Sequence, residues 1–290
     1  MRSLLFVPGD SEKKLAKALE SGADALLLDL EDSVAASAKP RAREIVTAWL
    51  TAHKSLPVRP RLYVRVNPFD GGLTEADLHA VMAAGPDGIM LPKSLNGADV
   101  QHLGAKLAVR EAERGLIDGA TRIIAIATES ARAIFGLSTY GGCSERLTGL
   151  AWGAEDLSAD IGSDTYRLAD GAYSGPYRLA RDLTLFAAVA AEVAPIDSVF
   201  VNFRDDAGLR WECLAARRHG FTAKMAIHPG QVGVINEIFS PSADALARAR
   251  AILAAFDAAP EAGVLSVNGE MIDLPHLKKA RKLLRRDGEA

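Results

Sequence analysis

Eight short apolar runs, each closed by a polar residue or by Gly/Pro and followed by a helical pattern, restrict the fold of this chain most. They cover residues 3–7, 25–30, 62–66, 88–91, 123–127, 148–152, 198–202 and 224–227. The runs are continuous rather than alternating, as expected of parallel strands buried on both faces. The intervening segments carry helix signals. Ser11-Glu12-Lys13-Lys14-Leu15 opens one helix, with Leu15, Ala18 and Leu19 on one face, and Thr74 opens another with acids in its first turn. Eight strand–helix alternations predict an α/β protein, a closed (β/α)8 TIM barrel over residues 1–239. An open doubly wound sheet is the alternative, but its GxGxxG fingerprint after the first strand is absent.

Residues 240–290 read differently. A helix is expected over 242–258, capped by Ser240 or Ser242, then a hairpin around Asn268-Gly269, then a helix over 275–286 with Pro275 in its first turn. This predicts a small helix–hairpin–helix lid rather than a ninth barrel unit. Its basic residues (Lys278, Lys279, Arg281, Lys282, Arg285, Arg286) are spaced like a solvated helix face.

Composition excludes several classes. The 290 residues carry a formal net charge of −3, so no bulk basic field recruits nucleic acid or an anionic membrane. Cys143 and Cys213 form no CxxC or Cys/His pattern, which implies a reduced intracellular chain. The first apolar run stops at Pro8-Gly9, too short for a signal-peptide core, and no run approaches membrane-spanning length. A cytoplasmic location is therefore expected.

A barrel of this kind carries its site at the C-terminal ends of its strands. The residues there are Asp10, then Asp29, Glu31 and Asp32, then Arg65 and Asn67, Lys93, Glu129, Glu155 and Asp156, the stretch from Asn202 to Asp205, and His228. Carboxylates sharing one mouth repel one another unless a cation intervenes. Glu129 and Asp156, at adjacent strand ends, are best placed to share Mg²⁺ or Mn²⁺, with Gly153 permitting close backbone approach. The bland alternative makes them ordinary loop or helix-N-terminal acids. Arg65 either captures a carboxylate or forms an ion pair with Asp29 or Glu31. Lys93 could form a Schiff base, but a plain barrel-mouth cation is the more economical reading. His228 is either a base or a residue that holds its loop. Trp152 and Phe203 read as core or pocket wall.

Taken in order, Arg2-Ser3-Leu4-Leu5-Phe6-Val7-Pro8-Gly9, Leu28-Asp29-Leu30-Glu31-Asp32-Ser33-Val34, Arg65-Val66-Asn67, Met90-Leu91-Pro92-Lys93, Thr128-Glu129-Ser130, Trp152-Gly153-Ala154-Glu155-Asp156-Leu157 and Ile227-His228-Pro229 resemble the citrate lyase β-subunit-like branch of the HpcH/HpaI aldolase superfamily, which includes malyl-CoA and citramalyl-CoA lyases. Each string alone is weak, but the ordered set is specific.

The resemblance implies Mg²⁺ held by Glu129 and Asp156, and a substrate bound by Arg65, Glu129, Glu155 and Asp156. It implies coenzyme A across the mouth near Phe6, Lys17, Ile227 and His228. Ser11 stands where the malyl-CoA lyases carry a phosphate-binding arginine, a departure from the pattern. The segment Gly269-Glu270-Met271-Ile272-Asp273-Leu274-Pro275 looks like the family's lid motif. That likeness makes Asp273 the acid/base of a neighbouring subunit's site, in homotrimers or hexamers. Local sequence alone makes Asp273 the cap of the final helix. The implied reaction is Mg²⁺-dependent cleavage of a malyl-, citramalyl- or citryl-type β-hydroxyacyl-CoA into a 2-oxo acid and an acyl-CoA. Arg65, Glu31 and Asp273 serve as the catalytic residues. The alternatives are a CoA-independent 2-oxo-acid aldolase, a lyase β subunit acting on a citryl-carrying acyl-carrier protein, and a catalytically silent CoA-binding paralogue.

Overall fold

The computed structural model describes residues 1–288. Eight parallel strands form a closed barrel: β1 (Ser3–Pro8), β2 (Ala25–Asp29), β3 (Arg61–Arg65), β4 (Gly88–Leu91), β5 (Arg122–Ile126), β6 (Leu147–Ala151), β7 (Ala194–Asp197) and β8 (Ala223–Ala226). Ser3 pairs with Lys224 and Leu5 with Ala226, closing β1 on β8. The helices between them are α1 (Glu12–Leu19), α2 (Lys39–His53), α3 (Thr74–Val81), α4 (Gly97–Arg114), α5 (Ala131–Gly136), α6 (Ala154–Ile161), α7 (Gly175–Ala190), α8 (Asp206–His219) and α9 (Gly230–Phe239). No helix among the described residues is long and apolar enough to cross a membrane.

Both strand faces are apolar because both are covered. Leu4, Leu27, Tyr63, Met90, Ile124, Ile196 and Met225 fill the barrel interior. Leu5, Leu26, Leu28, Val64 and Ile89 belong to a second core that includes helix residues such as Val46, Leu78 and Leu103. Interior packing is tight at Gly88, where an added Cβ would lie 2.2 Å from the Tyr63 ring and 2.7 Å from the Arg122 carbonyl oxygen. Gly88→Ala is therefore expected to destabilise the barrel by about 1–3 kcal/mol in urea unfolding.

The seventh strand lies earlier than its sequence pattern suggests. Residues 198–202 were the expected strand, but β7 is Ala194–Asp197 and Val201 and Asn202 are exposed loop. Pro195 carries no N–H and argues against a ladder position, yet it sits near the strand start and its carbonyl accepts from Thr222 N at 3.0 Å. The apolar run after it pairs with no strand among the described residues. Ser198 and Val199, rather than Asn202 to Asp205, thus stand at the strand end, and Asp205 instead caps α8 through Gly208 N at 2.9 Å.

Glu111 of α4 is fully buried and bridges to Arg146 just ahead of β6, at 2.9 and 2.7 Å. Thr121 N and Gly119 N also donate to it. Burial alone would raise this carboxyl, but Arg146 and the backbone donors outweigh it and lower the pKa to about 2. A lowered folded-state value means the bridge stabilises fully above the unfolded pKa of about 4.3, and its contribution fades as pH falls to about 2. Denaturant titrations from pH 7 to pH 2.5 are expected to show a shallower acid-side loss of stability in Glu111→Gln than in the wild type.

Contacts separate the chain into two compact units that divide after Phe239. The second contains α10 (Ala243–Ala258), the antiparallel hairpin β9 (Val264–Val267) and β10 (Glu270–Asp273), and α11 (Leu274–Asp287). Ser242 caps α10 by accepting from Ala245 N. Ile252, Phe256, Ile272, Leu277 and Leu284 form this unit's own core.

Candidate active site

Asp29 ends β2 and Arg65 ends β3, and the two are register partners. Arg65 Nε and Nη2 donate to Asp29 Oδ1 and Oδ2, each at 2.7 Å, as a two-pronged fork. The guanidinium lies 4.7 Å from the Phe6 ring centroid. Its remaining nitrogen, Nη1, is 2.7 Å from Glu31 Oε2 and 3.7 Å from Asp32. The Glu31 contact lacks hydrogen-bond geometry, so Oε2 is a buried acceptor without a donor. Burial disfavours the Arg65 charge, but Asp29 and Glu31 outweigh it and raise the pKa. The ion-pair reading of Arg65 is thus what the geometry shows, with Glu31 and Asp32 at its remaining nitrogen.

The loop beyond β2 is rigidly tied. Glu31 N and Ser33 N donate to Asp29, and Lys39 Nζ reaches the Leu30 and Glu31 carbonyls and Asn67 Oδ1. Lys93, two residues past β4, has a left-handed backbone with φ of 51°. Its N–H donates to Glu129 Oε2 at 2.5 Å. Its ammonium donates to Glu31 Oε1 and lies 3.3 Å from Asp156 Oδ1 and 3.5 Å from Asp32 Oδ2. Burial opposes that charge, but these carboxylates outweigh it and raise the pKa. A Schiff base needs a neutral amine, so the geometry supports the mouth-cation reading.

Glu129 follows β5 and is buried, while Asp156 lies in the first turn of α6 with about a third of its side chain exposed. Burial, then repulsion from Asp156 and Glu31, raises the Glu129 pKa to about 8 despite the Lys93 N–H and Arg65. Burial likewise raises Glu31 to about 7, against the pull of Arg65 and Lys93. Gly153 makes this approach possible, since a Cβ there would lie 2.9 Å from Glu129 Cγ. Glu155 accepts from the Tyr166 hydroxyl at 2.8 Å.

Glu129 and Asp156 line two cavities. One, of about 370 Å³, also holds Phe6, Asp29, Arg65, Glu155, Val199 and Ile227. The other, of about 510 Å³, is bounded by Phe69, Lys93, Leu95 and Asp99. The donor set suits a small hard cation. A buried carboxylate with a raised pKa beside a second one is the charge arrangement a divalent ion relieves. Among the described residues no group of three or more His, Cys, Asp or Glu encloses a metal position. Two carboxylates fit Mg²⁺, which usually keeps several waters.

The other expected residues fall in different places. Phe6 and Ile227 line the smaller cavity. His228 is exposed, stacks on Phe203 at 4.9 Å and accepts from Gly230 N, so it holds its loop. Lys17 is exposed on α1 and lines neither cavity. Ser11 caps α1 through Lys14 N. Asp273 caps α11 and its Oδ1 lies 2.6 Å from His276 Nδ1.

Sequence reasoning missed a buried charge cluster behind the strands. Lys224 Nζ reaches Asp197 at 2.9 Å, Glu212 at 2.7 Å and the Ser198 carbonyl at 2.7 Å. Arg181 and the Trp152 indole N–H complete the Asp197 shell. The available signal was a lone lysine inside the apolar run Ala223-Lys224-Met225-Ala226.

Comparison with known proteins bears on this site. Residues 2–229 match the HpcH/HpaI aldolase/citrate lyase family. The chain is 33% identical to the citrate lyase subunit beta of Leuconostoc mesenteroides subsp. cremoris, over 98% of this chain and 92% of that protein. It is 35% identical to a (3S)-malyl-CoA thioesterase of Cereibacter sphaeroides, over 98% and 93%. The crystal structure of CitE from Mycobacterium tuberculosis with magnesium, acetoacetate and coenzyme A superposes with a TM-score of 0.77 at 34% identity, covering 99% of this chain and 98% of that one. The chain belongs to the HpcH/HpaI aldolase/citrate lyase family.

Proposed function

We propose that this protein is a Mg²⁺-dependent carbon–carbon lyase that cleaves a β-hydroxyacyl-CoA into a 2-oxo acid and an acyl-CoA. The observation that carries the reading is the buried Glu129 beside Asp156, facing a cavity that also holds Arg65. A solved relative that contains magnesium, an oxo acid and coenzyme A supports it. Glu129 and Asp156 would hold the ion. Magnesium, when bound, supplies a positive centre that acidifies a nearby hydroxyl and offsets charge developing on oxygen.

The protein's own groups then have separable tasks. Arg65, fixed by Asp29, would turn Nη1 from Glu31 to a substrate carboxylate or carbonyl oxygen. Glu31, with a pKa near 7, suits acceptance of the hydroxyl proton. As that proton leaves, the C–C bond breaks to give the 2-oxo acid and the acyl-CoA enolate, whose α-carbon then takes a proton. Phe6 and Ile227 at the cavity edge suit the coenzyme A side. In this reading residues 1–239 are the catalytic domain and residues 240–290 a lid.

The enolate's proton donor would be Asp273 of a neighbouring subunit, which makes a trimer or hexamer the active form. His276 beside it holds its carboxyl below the usual range, so donation requires Asp273 to leave this partner. Asn caps helices as well as Asp does. Asp273→Asn is therefore expected to keep thermal stability and 2-oxo-acid binding, while cleavage falls by about 10²–10⁴. Cleavage at the wild-type rate would leave Asp273 as a helix cap only.

Incubation with malyl-CoA, citramalyl-CoA and citryl-CoA, with Mg²⁺ or with chelator, tests the main reading. Formation of 2-oxo acid and acyl-CoA only with Mg²⁺ supports it. The thioesterase relative favours a second reading, hydrolysis of the thioester. That outcome releases free CoA thiol and the hydroxy diacid without 2-oxo acid. Cleavage of free 2-oxo-acid aldols instead would identify a CoA-independent aldolase.

A further inference from the structure

Arg65 satisfies Asp29 and also lies beside Glu31 and Asp32, and Glu31, Asp32, Glu129 and Asp156 together make four carboxylates around the mouth. Lys93 touches all four: its backbone N–H meets Glu129, and its ammonium meets Glu31, Asp32 and Asp156. It does so from a left-handed backbone that disfavours every residue with a side chain. Glycine would adopt that backbone without strain. What lysine adds there is the ammonium.

Ligand number is what separates the common hard cations. Ca²⁺ gathers six to eight oxygens from several carboxylates at flexible geometry, whereas Mg²⁺ takes one or two carboxylates and keeps its waters. Four unrestrained carboxylates could supply a Ca²⁺ shell. Hydrogen-bonded to Glu31 and ion-paired with Asp32 and one Asp156 oxygen, the ammonium, together with Arg65, keeps the first two out of any metal shell. It leaves Glu129 Oε1 and Asp156 Oδ2 free of it.

We propose that Lys93 is a positioning residue that limits the metal site to two carboxylates and thereby selects Mg²⁺ over Ca²⁺. This rests on the metal reading given above and adds the origin of its selectivity. The experiment is calorimetric titration of metal-stripped protein with MgCl₂ and with CaCl₂, for the wild type, Lys93→Gly and Lys93→Arg. Glycine accepts the local backbone, so Lys93→Gly removes the ammonium alone. Its preference is expected to shift toward Ca²⁺ by about tenfold or more, while Lys93→Arg keeps the wild-type preference.

A merely structural lysine would alter melting temperature but leave the Ca²⁺/Mg²⁺ ratio fixed, and that result overturns the inference alone. So does a Lys93→Arg variant that shifts like Lys93→Gly. A wild-type protein that binds neither ion overturns the metal reading and this inference together.

Discussion

Replacing Asp156 with Ala is expected to abolish Mg²⁺ binding and to lower kcat/KM by about 10³ or more, the worth of several kcal/mol of charge stabilisation. The side chain is about a third exposed at the start of α6, and Lys93, its ion-pair partner among the described residues, retains Glu31 and Asp32. The variant should therefore fold and melt like the wild type, so lost activity cannot be charged to lost structure. Wild-type protein treated with chelator should reproduce the defect and recover on adding Mg²⁺. Turnover that survives both treatments would sink the metal mechanism.

The largest stability effect is expected at Asp197. It is completely buried and faces Lys224, itself completely buried, with Arg181 and the Trp152 indole on its other sides. The flanking cations and donors hold its carboxyl below the usual range against the opposing effect of burial. Asp197→Ala leaves the buried Arg181 guanidinium without its carboxylate, while Lys224 keeps Glu212, and costs about 3–5 kcal/mol. Urea unfolding monitored by circular dichroism measures it directly. Arg181→Met with Asp197→Leu tests the physics further, because it removes the stranded cation while Lys224 keeps Glu212 and the Ser198 carbonyl, and it should cost less than Asp197→Ala alone. A single variant that unfolds at the wild-type midpoint would show that Arg181 finds compensation elsewhere.

Much of the fold can be read directly because buried parallel strands announce themselves as apolar runs. The run at 25–30 is all but uninterrupted, and β2 is buried throughout. Strand seven was misplaced because local pattern competes with pairing. Residues 198–202 look more strand-like than Ala194-Pro195-Ile196-Asp197, but only the latter lies in register with β6 and β8. A strand placed at 198–202 leaves Asp197 outside it and hides the partner that explains Lys224.

The candidate site was legible as a set of strand-end residues and not as an arrangement. Side-chain type places Glu129, Asp156 and Arg65 at one mouth. It does not say that Asp29 takes two of the three Arg65 guanidinium nitrogens, or that Lys93 adopts a backbone ordinarily left to glycine. Those facts depend on register and on φ, which residue identity constrains weakly. His228 shows the converse: a chemically capable side chain at a strand end that serves its own loop.

The closing ladder also bears on how the chain is made. Ser3 and Leu5 find their β8 partners only when Lys224 and Ala226 exist. At a ribosomal rate of 5–20 residues per second, β1 waits roughly 10–45 s for its second neighbour. Throughout that interval a strand of Leu4, Leu5 and Val7 presents an open, apolar edge, the kind of surface that invites pairing with other nascent chains. Only the arrival of residues 224–226 closes that edge.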